Sequence, residues 1–349
     1  MMKNMNIRNG QSVNNWDKKY IGPTRVRYGI EHSMNVLAVK TLTDYVGETE
    51  SYDYLLNFGF TTLSEDDKYS QAKALGGITN GVYNIEMTAA YAAIANGGTY
   101  TKPILYTQVL DHDGNVLLDN TTPETHEVLK DSTAYLLTSA MEDVVNGAGG
   151  TGGSARLSNM PVAAKTGTSQ ESRDLWISAF TPYYTASVWG GYDEHKTMDR
   201  LSQSWHQKLW KNIMEHIQDT KGLEYKDFEI PSSVEEKTVC TKTGLLATSS
   251  CPAITEYFSK DNAPTKSCSG HYVAPSKDSK KDDSESSDEN TPATGTDSSG
   301  TTSSPDSSSA GTTTEPAAGG DSAGTTGTTT GDTSGSTTGG DTGSGSTTQ

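Results

Sequence analysis

Between Pro23 and Leu42 the residues Ile30, Met34, Leu37, Ala38 and Thr41 recur at helical spacing, which predicts one helix, or two short ones parted near Ser33. Glu86–Asn96 is small and apolar on every side (Met87, Ala89, Ala90, Ala92, Ala93, Ile94, Ala95) and ends at Gly97-Gly98. That pattern predicts a buried helix, with Asn84 as its cap. Ile104–Leu110 and Val116–Leu118 flank His112-Asp113-Gly114-Asn115, an Asp-Gly signal for a two-strand hairpin. From Asp131, a good N-cap, Ala134, Leu137, Met141, Val144 and Val145 form one apolar helix face that stops at Gly147. A glycine-rich loop, Gly147–Gly153, then leads to a strand reaching Val162-Ala163-Ala164-Lys165-Thr166-Gly167. Leu175–Phe180 and Thr185–Trp189 read as two further antiparallel strands, and Trp205–Ile217 as a closing helix.

Helices packed on an antiparallel sheet make the predicted fold class α+β. Residues 1–220 suffice for one domain, and 221–273, with short irregular strands, read as a small appendix holding all three cysteines. From Ala274 to Gln349 the chain is almost wholly Ser, Thr, Gly, Asp and Pro, with twelve acids, three lysines and no aromatic residue. Such a tail cannot bury enough apolar area to offset its ordering entropy, so it is expected to be a disordered spacer.

Composition narrows the partners. The 349 residues carry 44 acidic and 27 basic side chains, net -17, and neither the tail nor the rest has the basic excess of a nucleic-acid binder. No run of about 18 apolar residues could span a membrane, and the N-terminus lacks the form of a signal peptide. Cys240, Cys251 and Cys268 lack the close pairs or partner histidines of a familiar zinc spacing, and the seven histidines form no metal pattern, so no metal or cofactor is expected. One disulfide with an odd thiol, or three reduced thiols, both remain open.

Two motifs carry chemistry. Lys165-Thr166-Gly167-Thr168 ends an apolar strand with an ammonium, two hydroxyls on alternate positions and a glycine that admits a close ligand. Such an edge can take an extended peptide by strand addition and clamp a terminal carboxylate, although an edge lysine also serves as a solubilising device. Lys242-Thr243-Gly244 repeats the triplet between two cysteines and reads as a turn. Ser33-Met34-Asn35 places an S-x-N in the break between helical stretches, and its order and distance before K-T-G-T match serine acyl transferases of the penicillin-recognising class. Gly147-Ala148-Gly149-Gly150-Thr151-Gly152 fits a dinucleotide pattern but follows a helix, not a strand. His32 and Ser33 are adjacent, so on a helix their side chains would diverge by about 100°.

The chain resembles the transpeptidase domain of class A, bifunctional penicillin-binding proteins. The likeness rests on Arg27–Lys40, with Leu37 where a proline is usual; on Gly76-Gly77-Ile78 and Gly81–Met87 running into the alanine-rich helix; and on Pro161–Thr168, Arg173-Asp174-Leu175-Trp176 and Val188–Asp193. The resemblance implies the penicillin-binding, serine β-lactamase-like fold and a D,D-transpeptidase acting on peptidoglycan stem peptides that end in D-Ala-D-Ala, inhibited by β-lactams. Carried over by motif, Ser33 relays a proton, Asn35 hydrogen-bonds the substrate carbonyl and the active-site lysine, and Lys165 supplies charge for the substrate carboxylate. Thr166 and Thr168 would bind that carboxylate, Thr168 N–H would stabilise the oxyanion and Gly167 would give room. No S-x-x-K lies in residues 1–32, so the family's nucleophile is absent from this sequence, as are the glycosyltransferase domain and membrane anchor. Ser70-Gln71-Ala72-Lys73 fits the pattern but follows S-x-N and reads as a helix-surface coincidence. The expectation is an N-terminally incomplete C-terminal piece of a longer protein on the extracellular face of the bacterial membrane, inactive alone, where other cell-wall synthesis proteins are possible partners. The rival reading is a non-catalytic peptidoglycan-binding or structural wall module.

Overall fold

β8, Asp174–Phe180 in chain order, explains the architecture: Leu175, Ile177, Ala179 and Phe180 are all buried to 1% exposure or less, so both faces of this strand are covered. The structure is a computed structural model that describes residues 5–6, 12–194, 196–198 and 203–271, all within one compact unit, Met1–Lys277. The tail expected beyond residue 273, and residues 272–273 of the appendix, lie outside the described residues.

In chain order, β1 (Met5–Asn6) pairs with β2 (Ser12–Val13), followed by α1 (Val26–Glu31), α2 (Asn35–Thr41), α3 (Glu48–Asn57), α4 (Glu65–Lys68) and α5 (Asn84–Ala95). Four short strands come next: β3 (Thr99–Thr101) pairs with β6 (Thr125–Glu127) around the hairpin of β4 (Gln108–Leu110) and β5 (Val116–Asp119). Then come α6 (Asp131–Asn146), the central strands β7 (Ala163–Thr168), β8 and β9 (Thr185–Gly191), α7 (Trp205–Lys221), and the antiparallel pair β10 (Val234–Cys240) and β11 (Ala253–Ser259). Among the described residues no helix is long and apolar enough to cross a membrane.

The central sheet has the order β7-β8-β9, antiparallel throughout, with Ala163 opposite Phe180 and Lys165 opposite Ser178. Side chains alternate across it. Ala164, Ile177 and Ala179 pack with Trp210 and Met214 of α7, whereas Ala163 and Phe180 pack with Ile94 of α5 and Met141 of α6. The buried alanines of α5, Ala89, Ala90 and Ala93, keep that helix slim enough to lie within the core, as its composition predicts.

Of the two readings of Pro23–Leu42, the chain takes two short helices, and the break at Ser33 has a definite form. Ser33 N–H donates to Ile30 O at 3.2 Å and Met34 N–H to Gly29 O at 2.9 Å, the two bonds of a Schellman motif closing α1. Ser33 fills the left-handed position at φ 51°, a place that ordinarily falls to glycine. α1 and α2 approach so closely here that a Cβ on Gly29 would collide with Leu37. Arg27 fixes α1 to its surroundings: its guanidinium donates to Glu256 on β11 at 2.8 Å, to Asp143 at 3.1 Å and to Ser139 O at 2.7 Å, the last two on α6.

Some expectations shift. Asn84 and Asp131 stand inside their helices, one residue past the caps Tyr83 and Lys130, a displacement within ordinary end fraying. The hairpin strand begins at Gln108, not Ile104, and its residues are exposed. Lys73 is not on a helix surface: it is buried in a single 3-10 turn, where its ammonium donates to the carbonyls of Asp67, Lys68 and Ser70 at 3.0–3.2 Å. Ser70 Oγ accepts from Ala72 N–H, so this pair caps a turn. Lys242-Thr243-Gly244 forms the turn expected of it. All three cysteines are free thiols, and loops distant in sequence bring them together with His271.

The left-handed Ser33 gives a clean test. Ser33→Gly and Ser33→Ala both remove the hydroxyl, but only alanine keeps the Cβ that strains this conformation. The glycine variant is expected to be more stable than the alanine variant by about 1 kcal/mol in urea unfolding. Equal stabilities would contradict the strained geometry.

Candidate active site

Lys165 sits in the middle of β7, the strand at one edge of the sheet, on the side facing α5 and α6. Its ammonium donates to Ser33 Oγ at 2.8 Å and to the carbonyl of its neighbour Thr166 at 3.0 Å. The two motifs therefore meet although 132 residues separate them. Burial strips water from the ammonium and lowers its pKa to about 8. No carboxylate among the described residues forms an ion pair with it, so no countercharge offsets that burial. A desolvated cation held against a hydroxyl at a sheet edge is an arrangement that favours an incoming anion.

The Schellman break explains how Ser33 can face Lys165. A serine inside a continuing helix would lie along its surface, whereas the left-handed residue turns the chain from α1 into α2. His32 takes no part in a Ser-His pair: its ring stacks on Tyr28 at 3.8 Å, and its Nδ1 lies 3.1 Å from Tyr28 O. Asn35 opens α2, and its amide donates to Asn14 O at 2.9 Å. Among the described residues the ammonium of Lys165 meets Ser33 and Thr166, not Asn35.

Asn15 is the positioning residue that sequence reasoning missed. It is 3% exposed, its Oδ1 accepts Val36 N–H at 3.0 Å in the first turn of α2, and its Nδ2 donates to Lys19 O at 2.7 Å. It thus ties the chain after β2 to the start of the S-x-N helix. The only sequence signal was a polar Asn14-Asn15 pair, which reads equally well as a turn.

Thr166 projects to the opposite side of β7 from Lys165, where its Oγ1 lies 2.6 Å from Thr151 Oγ1 in the glycine-rich loop. That loop lies hard against the S-x-N side: Gly149 N–H donates to Glu31 at 3.1 Å, and a Cβ on Gly149 would run into the His32 ring. The glycines thus serve close packing at the site, a use the rejected dinucleotide pattern did not suggest. Gly167 lies over Trp176, whose Cβ would stand 3.2 Å from a Cβ added to the glycine. Thr168 is exposed at the end of β7, opposite Leu175 of β8, while Trp176 and Trp189 pair at 6.3 Å between rings across β8 and β9. β7 pairs with β8 alone among the described residues, so its other edge offers backbone N–H and C=O groups to an extended ligand.

Residues 2–215 match the family model described as the penicillin-binding protein transpeptidase domain, and 230–272 match penicillin-binding protein 1A, C-terminal domain. Penicillin-binding protein 1A of Clostridium botulinum is 37% identical over 229 residues, covering 66% of this chain and 27% of the relative. Penicillin-binding protein 1A/1B of Bacillus subtilis is 31% identical, covering 74% of this chain and 30% of the relative. The chain thus spans less than a third of the length of these relatives. In fold it is similar to the crystal structure of penicillin-binding protein 1A from Haemophilus influenzae, with TM-score 0.64 and 23% identity, over 76% of this chain and 45% of that one. It is also similar to PonA1 of Mycobacterium tuberculosis in complex with penicillin V, with TM-score 0.57 and 23% identity, over 66% and 65%. Because the family match takes in more than half of the sequence and includes both motifs that meet at Lys165, the chain belongs to the penicillin-binding protein transpeptidase family.

Proposed function

We propose that this chain forms the S-x-N and K-T-G walls of a D,D-transpeptidase cleft that cross-links peptidoglycan stem peptides, with β-lactams as its inhibitors. The observation that carries the reading is the desolvated Lys165 ammonium on Ser33 Oγ at the open edge of β7. A stem peptide ending in D-Ala-D-Ala lies extended along that edge, with its carboxylate drawn to Lys165 and to the hydroxyls of Thr166 and Thr168. Gly167 leaves room for the peptide backbone, and Thr168 N–H donates to the oxyanion. Thr166 exchanges its Thr151 partner for the ligand carboxylate.

In the acyl-transfer step a serine oxygen attacks the amide carbon between the two D-alanines. The C–N bond breaks, and D-alanine leaves with a proton. The proton released by the attacking hydroxyl reaches Ser33, which passes its own proton to the leaving nitrogen, while Lys165 stays cationic and holds Ser33 in place. An amine of a neighbouring stem then takes the acyl group and releases the serine. Asn35, at the start of α2, gives its amide to the substrate carbonyl when it exchanges its bond to Asn14. The setting for this chemistry is the outer face of the bacterial cytoplasmic membrane, where stem peptides are cross-linked. The attacking serine belongs to an S-x-x-K motif, which does not precede Ser33 in these 349 residues. Alone, the chain therefore holds its ligands reversibly.

Intact mass after incubation with benzylpenicillin checks the assignment. The 349-residue chain is expected to gain nothing, whereas a chain extended upstream to include an S-x-x-K gains the mass of one penicillin. An adduct on the short chain would place the nucleophile at Ser33 or Ser70 and contradict the relay role. A folded extended chain that stays unmodified would overturn the transpeptidase reading.

Reversible binding also carries a pH signature. Lys165 is cationic below its pKa and loses that charge as the pH rises through about 8. Affinity for an N-acyl-D-Ala-D-Ala peptide is thus expected to hold steady near pH 7 and to decline from about pH 8 upward. Lys165→Met binds weakly with no such decline. A parent profile that bends only near the ordinary lysine value of about 10.4 would contradict the desolvated cation.

A further inference from the structure

We propose that Cys240, Cys251, Cys268 and His271 form a tetrahedral Zn2+ site that holds the C-terminal module together. One ligand atom from each of these four residues lies within 4.8 Å of the other three. Zinc bound to thiolate at about 2.3 Å sets ligand atoms roughly 3.8 Å apart, so the four need to draw in by about an ångström at most. Cys268 Sγ and His271 Nε2 are already 3.4 Å apart.

The ligands come from three loop segments laced together by the backbone. Cys240 ends β10 and donates its N–H to Leu245 O at 2.8 Å. Cys251 occupies a turn just before β11, with its N–H on Thr248 O at 2.9 Å. Cys268 N–H donates to Leu246 O at 2.8 Å, and His271 N–H to Ser250 O at 3.3 Å. This lacing is why linear spacing hid the set: the ligands converge through Leu246 and Ser250, not through one C-x-x-C turn.

The chemistry of the pocket suits bound thiolates. Thr248 Oγ1 lies 3.4 Å from Cys251 Sγ, which places a hydroxyl beside one of the thiols. Such donors orient metal-bound sulfur and offset its charge. Cys240 and Cys268 are buried, while Cys251 and His271 are partly open, which leaves the ion a way in. On binding, three thiols release their protons to solvent, and three thiolates with one neutral imidazole surround the cation. Soft sulfur donors with one imidazole select zinc over magnesium or calcium.

The module has little core of its own. β10 and β11 form a two-stranded sheet, an arrangement marginal in water by itself. Within residues 234–271 the buried side chains are Val234, Val239, Cys240 and Cys268, so two of the four that could make a core are cysteines. Small units of this kind are commonly stapled by a disulfide or a metal. A disulfide would use two of the sulfurs and leave the third, with His271, unexplained.

The test uses the full chain, purified under reducing conditions without a metal-binding tag and incubated with ZnCl2. About one zinc per chain is expected to survive desalting. Co2+ added to the metal-free chain should give the sulfur-to-metal charge-transfer and intense ligand-field bands of a tetrahedral thiolate site. Cys251→Ser and His271→Ala are each expected to weaken zinc binding by at least about 10–100-fold. Chelation should expose residues 221–271 to protease while the β7–β9 domain stays resistant. The native-chain readings stand even if a variant misfolds. Less than about a tenth of an equivalent of zinc on reduced, folded protein would overturn the site, as would a cysteine pair found by mass to have lost two hydrogens while zinc is available.

Discussion

Arg27 is the constraint on which the cleft depends. Its guanidinium lies between α1, α6 and β11, donating to Ser139 and Asp143 on one side and Glu256 on the other. With side-chain exposures of 19% for Arg27 and 15% for Glu256, the pair is largely out of water, and removing either partner strands a charge at a cost on the order of a few kcal/mol. Arg25 adds a second bond to Glu256 at 2.6 Å. This clamp fixes the axis of α1, and the α1 axis sets where the Schellman turn delivers Ser33. The Ser33 to Lys165 contact is thus a consequence of packing between segments far apart in the chain.

That dependence links the two proposals. Glu256 lies on β11, so the module that carries the cysteines also supplies the carboxylate that anchors α1. The edge-to-face contact of Tyr257 with Tyr135 of α6 and the bond from Ser233 to Asp131 seat the same module on the helix. A zinc staple that keeps β10 and β11 paired therefore supports the S-x-N wall of the cleft from behind. The site itself breaks local rules: a serine occupies a left-handed position suited to glycine, and a lysine is desolvated with no carboxylate partner among the described residues. Departures of this kind concentrate where structure serves chemistry.

Much of the fold was legible because it rests on long, regular patterns. The alanines of α5, the apolar stripe of α6, the three central strands and α7 all declare themselves by periodicity, whereas the pattern over Pro23–Leu42 left one helix or two equally open. What the sequence hid depends on tertiary context. The strands β3 and β6 have three residues each, too few to show alternation, and they pair across the β4–β5 hairpin. Helix α3 buries only Tyr52, so it has no apolar stripe to read. Among functional groups, Lys165 and Ser33 were visible as motif residues, yet their contact was not a property of either motif. Asn15 escaped because a buried asparagine that holds a helix start differs in no local way from one in a turn. The cysteines escaped because their convergence is made by backbone bonds between loops.

The most direct test of the central claim is a crystal structure of this chain with an N-acyl-D-Ala-D-Ala peptide. The account predicts the peptide extended along the open edge of β7, with its carboxylate bonded to Thr166 and Thr168 and the Lys165 ammonium between that carboxylate and Ser33. A peptide bound elsewhere, or an edge of β7 that stays bare at saturating concentration while the fold is intact, would contradict it.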